Sequence, residues 1–295
     1  MEKRPLFKGV ATALVTPFDE NGIDLGSFGR MLEYQIKNGA DALVICGTTG
    51  ESATLSFGEK CELTAFAAEK IDRRVPLIVG TGGNDTARAC RLSKRVAALG
   101  ADALLLVTPY YNKCTQQGLV GYYREVSECS ELPFIAYNVP SRTGVRIEPE
   151  TASEIASLPL AAGYKDAGDS ISDTARTIAL CGEGFPVYSG NDDRVVPVLS
   201  LGGAGVISVV SNVFPARVKS MCDSFFKGDT VSAAKQQLEL LPLAQALFCE
   251  VNPIPVKAAL AELGFCKNIL RAPLTALSEP YRESLVSIIE VTKDR

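Results

Sequence analysis

Lys165 is the residue best placed for covalent chemistry. It lies near the end of Leu158–Asp166, a short, small and apolar stretch that reads as a buried strand. A lysine there is costly to keep charged, because burial disfavours the ammonium form. A neutral amine is a nucleophile toward carbonyl carbon, as in enzymes that form Schiff bases. Taken alone, the pattern favours a lysine that simply marks where a strand meets solvent, and the other stretches shift that balance.

The absence of histidine restricts the alternatives. Nucleophilic systems that pair serine or cysteine with histidine are excluded, as are zinc or iron sites with histidine ligands. General acid–base catalysis would fall to tyrosine, lysine, carboxylates or a hydroxyl relay. The nine cysteines are spread singly from Cys46 to Cys266, which favours a reducing cytoplasm over a disulfide framework.

Further polar groups follow other apolar stretches. Gly47–Ser52 (Gly-Thr-Thr-Gly-Glu-Ser) flanks Thr48 and Thr49 with glycines, so free amides could bind an anion, although an ordinary glycine turn fits too. Tyr110 and Tyr111 are adjacent, and we expect one to pack and the other to act as a catalytic phenol or interface group. The sequence therefore offers several polar groups that could serve one site.

Three more stretches complete this set. Tyr137 ends an apolar run, and Arg142 follows in a loop framed by proline and glycine, suited either to binding a carboxylate or to a surface turn. Gly190 lies in a turn that would let backbone approach a ligand closely. Ile207 ends a later strand.

These groups need a fold that brings strand ends together. The pattern Gly-Ala-Asp-Ala-Leu at 39–43 recurs at 100–104, with a looser copy at 202–206, each a helix end followed by a continuously apolar strand. Such strands are typical of parallel sheets. We predict eight, near residues 10–16, 41–46, 76–80, 102–107, 133–138, 160–165, 186–189 and 205–209.

Eight strands alternating with helices predict an α/β fold, a (β/α)₈ TIM barrel. An open doubly wound sheet is the alternative, but the glycine fingerprint expected after its first strand is absent. We assign residues 1–226 to the barrel and 227–295 to a helical C-terminal region. In a barrel of this kind the reactive groups lie at the carboxyl ends of the strands, where all the residues above fall.

The bulk composition excludes several partners. The net charge is −4 with no basic cluster, so nucleic-acid binding is not expected. No apolar run reaches membrane-spanning length. The N-terminal stretch Met1–Gly9 lacks a following apolar region, so we expect no signal peptide.

The motifs quoted above, with Tyr137–Gly144 (Tyr-Asn-Val-Pro-Ser-Arg-Thr-Gly), Tyr164–Asp166 and Asn252–Lys257 (Asn-Pro-Ile-Pro-Val-Lys), resemble the pyruvate-dependent class I aldolases of the dihydrodipicolinate synthase and N-acetylneuraminate lyase family. The resemblance covers essentially the full chain. It implies that Lys165 forms an imine with pyruvate, and that the derived enamine attacks aspartate semialdehyde in lysine and diaminopimelate biosynthesis. It also implies that Tyr137 transfers protons and that Thr48 and Tyr111 complete a hydroxyl relay.

The same resemblance implies the binding roles. Thr49, with its backbone N–H, would hold the pyruvate carboxylate. Arg142 would hold the carboxylate of the semialdehyde, and Gly190 and Ile207 would line the imine site. It implies no metal or cofactor. It also implies a homotetramer built as a dimer of dimers, with Tyr111 supplied by a neighbouring subunit.

Within the family, Arg142 favours the synthase branch over aldolases acting on N-acetylneuraminate or keto-deoxy sugar acids. A non-catalytic ligand-binding relative is the least favoured alternative, because every expected catalytic residue is present. Synthases inhibited by lysine carry histidine and glutamate in a pocket where this chain has Phe57, Lys60 and Arg88. We therefore expect little or no feedback inhibition by lysine.

Overall fold

The computed structural model describes residues 5–293. Residues 1–4 and 294–295 lie outside the described residues. The expectation that there is no signal peptide falls partly on residues 1–4. Within the described part, no helix is both long enough and apolar enough to cross a membrane.

Eight parallel strands close into a barrel, which confirms the predicted fold class. A separate antiparallel hairpin, made of two strands of two residues each, lies outside the barrel. In chain order the strands are β1 (Gly9–Ala13), β2 (Phe18–Asp19), β3 (Gly22–Ile23), β4 (Ala42–Ile45), β5 (Leu77–Gly80), β6 (Ala103–Val107), β7 (Phe134–Asn138), β8 (Ala161–Asp166), β9 (Val187–Ser189) and β10 (Gly205–Ser208). The barrel order is β1, β10, β9, β8, β7, β6, β5, β4 and back to β1.

Helices follow the barrel strands and continue beyond the last one. They are α1 (Leu25–Lys37), α2 (Phe57–Ile71), α3 (Thr86–Ala97), α4 (Gln116–Ser130), α5 (Pro140–Thr143), α6 (Pro149–Ala156), α7 (Ile171–Cys181), α8 (Val195–Ser200), α9 (Pro215–Phe226), α10 (Thr230–Ala246), α11 (Ile254–Glu262) and α12 (Glu279–Lys293). Within residues 5–293, β10 is the last strand. After it, α10 packs against α9 and α12. The division of the chain at residue 226 stays a prediction.

The continuously apolar strands are explained by burial on both faces. One set of strand side chains, including Ala11, Val44 and Ile135, fills the barrel interior. The alternate set, including Val10, Leu43 and Phe134, packs against the surrounding helices. Because neither face meets water, the polar–apolar alternation of an exposed sheet is missing, as expected for a parallel barrel.

The structure corrects some details of the prediction. Strand β1 ends at Ala13 rather than at residue 16, and the amide of Val15 donates to the side chain of Asn212 (3.3 Å). The hairpin of β2 and β3 was not predicted, because strands of two residues are too short to show periodicity.

Candidate active site

Lys165 and Tyr137 lie side by side inside the barrel. They are register partners on β8 and β7, and the Lys165 amine Nζ is 4.1 Å from the centroid of the Tyr137 ring. Lys165 is 5% exposed and Tyr137 6% exposed. The predicted nucleophile and the predicted proton-transfer group are thus brought together in a largely water-excluded place.

Asp166 fixes the end of β8 beside the lysine. Its carboxylate accepts hydrogen bonds from the Asn138 amide (3.0 Å), the Thr174 hydroxyl (2.7 Å) and the Gly168 backbone N–H (3.0 Å). Asn138 ends β7, so this carboxylate ties the two strands together directly beyond the Tyr137–Lys165 pair. Such a clamp restricts the movement of both reactive side chains.

A cavity of about 960 Å³ opens beside Tyr137, and neither Lys165 nor Asp166 is among the residues that line it. Among the predicted site residues, Thr48, Tyr137 and Arg142 line it. Tyr137 therefore connects the cavity to the Lys165 amine, which lies against its ring. The volume suits small-molecule substrates.

The loop after β4 contains more backbone hydrogen bonds within itself than predicted. The amides of Gly50, Glu51 and Ser52 donate to the carbonyl groups of Gly47 and Thr48 at 3.1–3.3 Å, so they do not serve an anion. The backbone of Glu51 adopts a left-handed conformation (φ 54°), which turns the chain sharply after the two threonines. Thr49, which is 3% exposed, stays the candidate for the carboxylate.

A buried ion pair anchors this loop to α11. The amine of Lys257 contacts the carboxylate of Glu51, and their side chains are 0% and 1% exposed. Lys257 also donates to the carbonyl oxygen of Ile269 (2.9 Å). Burial lowers the pKa of Lys257, and Glu51 opposes that lowering. Both residues lie in motifs noted in the sequence, but no role could be predicted for them, because the two partners are 206 positions apart.

Arg271 reinforces the same anchor. Its backbone N–H donates to the Glu51 carboxylate (2.9 Å), and its guanidinium donates to the Thr54 carbonyl oxygen (2.9 Å). The guanidinium also pairs with Glu59 and holds the pKa of that carboxyl at about 2. Phe18 packs under both cations, with its ring centroid 4.3 Å from the Lys257 amine.

One of the two adjacent tyrosines was expected to pack, but neither is buried. Tyr110 is 36% exposed and lines the cavity, whereas Tyr111 is 92% exposed in the single chain. Tyr111 has a left-handed backbone (φ 71°), which is unfavourable for a bulky residue. Within residues 5–293, no hydrogen bond joins the Tyr137 hydroxyl to Thr48, and the relay through Tyr137, Thr48 and Tyr111 stays a prediction.

Gly190 follows the end of β9 directly, and Ile207 lies on β10. The Gly190 N–H donates to the Asp166 carbonyl oxygen (2.6 Å), and a Cβ at Gly190 would come within 2.8 Å of the Ala167 Cβ. The glycine is therefore required by packing against the end of β8. Ile207 is fully buried in the barrel interior.

Asp192 is a buried carboxylate that sequence reasoning missed. It accepts hydrogen bonds from the Ser208 hydroxyl and from the amides of Val209 (2.8 Å) and Val210 (3.2 Å). Burial raises its pKa. The residue secures the end of β10, directly after Ile207, and its only signal in the sequence was its place in the Ser-Gly-Asn-Asp turn.

Arg142 reaches toward the C-terminal region rather than lying free in a turn. Its guanidinium donates to the main-chain oxygen of Asn252 (3.0 Å), the residue that comes two positions before α11. Asn252 begins the Asn-Pro-Ile-Pro-Val-Lys motif, but the sequence alone predicted no role for it. The arginine thus stands at the cavity wall with part of its donor set still available for an anion.

The chain is similar throughout its length to known proteins. The profile of the Dihydrodipicolinate synthetase family matches residues 6–292. A 4-hydroxy-tetrahydrodipicolinate synthase from Thermoanaerobacter sp. (strain X514) is 46% identical over 286 residues, which cover 97% of this chain and 96% of that protein.

Solved structures give the same result. The dihydrodipicolinate synthase of Thermotoga maritima is 45% identical, with a TM-score of 0.96 over 98% of this chain and 99% of that one. A dihydrodipicolinate synthase described as the first monomeric variant is also 45% identical, with a TM-score of 0.96 over 98% of this chain and 97% of that one.

The buried anchor generates a stability prediction. Lys257→Met leaves the Glu51 carboxylate buried without its cation, and we expect a loss of about 3–5 kcal/mol in the free energy of unfolding. Urea denaturation measures it. The double variant Glu51→Leu/Lys257→Met removes both charges and should lose less.

The exposed pair of Arg282 and Glu262 (2.7 Å) provides the control. Arg282→Met should change stability by less than about 1 kcal/mol. A Lys257→Met protein as stable as the Arg282→Met protein would contradict the role assigned to the anchor.

Proposed function

This chain belongs to the dihydrodipicolinate synthetase family, and from that premise we propose that it is a lyase that condenses pyruvate with L-aspartate 4-semialdehyde to 4-hydroxy-tetrahydrodipicolinate. The observation that carries the proposal is the Lys165 amine held against the Tyr137 ring inside a closed barrel. A reaction of this kind belongs to lysine biosynthesis. The nine free thiols are in keeping with a cytoplasmic location.

Each step of the proposed reaction has a candidate residue. The Lys165 amine attacks the keto carbon of pyruvate and water leaves, which gives an imine. Loss of a methyl proton gives an enamine, whose carbon attacks the aldehyde, and Tyr137 is placed to carry protons in these steps. The amino group of the semialdehyde then attacks the imine carbon, so that the product cyclises and Lys165 is released.

The carboxylates of both substrates need separate partners. We assign the pyruvate carboxylate to Thr49 and the semialdehyde carboxylate to Arg142, whose guanidinium can donate two parallel hydrogen bonds. Thr48 would extend the proton path from Tyr137, and Gly190 and Ile207 would bound the space around the imine. No metal or cofactor is needed for this sequence of steps.

Arg142 gives the test of substrate choice. Arg142→Ala should raise the KM for aspartate semialdehyde by roughly 10- to 100-fold, because a charge-assisted pair is lost, and change the KM for pyruvate little. Arg146→Ala is the matched control, since Arg146 lies near it and pairs with Asp173 on the surface (2.8 Å). Initial rates with both substrates measure the effect.

The same assay separates the alternatives. Lys165→Ala should remove turnover, whereas cleavage of N-acetylneuraminate or of a keto-deoxy sugar acid by the parent protein, without condensation, would assign it to another branch. If the parent protein had none of these activities, the alternative of a non-catalytic, ligand-binding protein would be favoured.

We further propose a homotetramer built as a dimer of dimers, in which Tyr111 completes the neighbouring site. An unfavourable backbone conformation that presents a tyrosine ring to solvent is supporting evidence, because such strain is retained where it serves a function. One similar protein is described as a monomeric dihydrodipicolinate synthase variant, so the assembly of this chain needs its own measurement.

Assembly and relay can be tested together. Sedimentation equilibrium should give four times the mass of the chain, and Tyr111→Phe should lower kcat by roughly 100-fold, a usual contribution of proton transfer, without dissociating the oligomer. A monomer with full activity would contradict both parts of the proposal.

Lysine feedback is expected to be weak. Arg88 and Lys60 line the cavity where the ammonium groups of lysine would have to bind, and like charges repel. Arg88 carries most of this repulsion, because burial lowers the pKa of Lys60 and so disfavours its charged form, whereas the pair of Arg88 with Asp85 (3.2 Å) is exposed and weak. Rates measured with added L-lysine should change little, and strong inhibition at sub-millimolar lysine would contradict this expectation.

A further inference from the structure

Asn252 connects the two residues proposed to hold the substrate carboxylates. Its side-chain Nδ2 donates to the Thr49 hydroxyl oxygen (3.0 Å), and its main-chain oxygen accepts from Arg142 (3.0 Å). The residue is 6% exposed and lines the cavity. One residue from the C-terminal part of the chain thus contacts both candidate carboxylate sites.

The direction of the bond to Thr49 determines what that threonine can do. A hydroxyl has one proton to donate, and a carboxylate only accepts. Because Thr49 accepts from the amide of Asn252, which lines the cavity, its own proton remains available for a carboxylate. An acceptor in place of the amide N–H would take that proton and turn the oxygen lone pairs of Thr49 toward the substrate.

The other end of the same side chain is unsatisfied. Within residues 5–293, the Oδ1 atom of Asn252 is buried and has no hydrogen-bond partner. A buried acceptor without a partner reduces stability, and an apolar residue of similar size would avoid the loss. Stability therefore does not account for an asparagine here, whereas the use of its N–H does.

The loop does not depend on Asn252 to stay in place. The buried pair of Glu51 and Lys257 and the backbone N–H of Arg271 already hold the segment that follows Thr49. Loss of the Asn252 side chain should therefore alter the orientation of one hydroxyl rather than release the loop.

We infer that Asn252 is a positioning residue for pyruvate, whose amide sets the Thr49 hydroxyl as a donor to the keto-acid carboxylate. This inference rests on the proposed function, since Thr49 is assigned to pyruvate there. Asn252, which lies outside the barrel strands, would thus join the residues that bind pyruvate.

The test is the steady-state kinetics of Asn252→Ala with both substrates. We expect the KM for pyruvate to rise roughly tenfold, the effect of losing one useful hydrogen bond. The KM for aspartate semialdehyde should stay within about twofold, because the main-chain oxygen that accepts from Arg142 survives the substitution. Asn252→Asp should raise the KM for pyruvate further, since a carboxylate accepts the Thr49 proton and repels the substrate.

A double-mutant cycle separates positioning from a merely structural role. In a Thr49→Val background the hydroxyl is gone, so Asn252→Ala should add no further increase in the KM for pyruvate. In a Thr49→Ser background, which retains the hydroxyl, the full increase should return. Thermal unfolding of every variant identifies any that fold poorly.

An unchanged KM for pyruvate in Asn252→Ala, or an equal increase in the Thr49→Val background, would overturn the inference and leave the proposed function standing. A parent protein that does not turn over pyruvate would instead overturn the proposed function, and the inference with it.

Discussion

The pairing of β7 with β8 from Ile135 to Asn138, beyond a shift of register after Phe134, is the constraint on which the site depends. It places Tyr137 opposite Lys165, and the closed barrel turns both side chains inward. Successive residues of a strand point to opposite faces, so a shift of one residue would move the amine to the helix side. The Asp166 carboxylate, bonded to Asn138 and Thr174, holds that register at the rim.

A second constraint joins the barrel to the helices that follow it. Lys257 and Asn252 reach back about two hundred residues to contact Glu51 and Thr49, in the loop after β4. The loop that faces the cavity is consequently shaped from two sides. This arrangement explains how a part of the chain without strands contributes to the chemistry at the barrel mouth.

The strands of the barrel could be predicted because burial on both faces leaves a local record, a continuous apolar run such as Ala103–Val107. Once a barrel is assumed, the strand ends also indicate where Lys165, Tyr137 and Thr48 must lie. The partnership of Glu51 with Lys257 leaves no such record, since neither residue type nor spacing identifies a partner 206 positions away. The residue pattern alone also left open which of Tyr110 and Tyr111 is the more exposed, because tyrosine occurs both in cores and on surfaces.

We propose that the amine at position 165 captures pyruvate covalently. Treatment of the protein with pyruvate and borohydride, followed by mass spectrometry of its peptides, detects such a bond. We expect a single reduced pyruvate adduct on the peptide that contains Lys165, absent from a Lys165→Ala protein. No gain in mass, or an adduct on the other deeply buried lysine, Lys257, would contradict it.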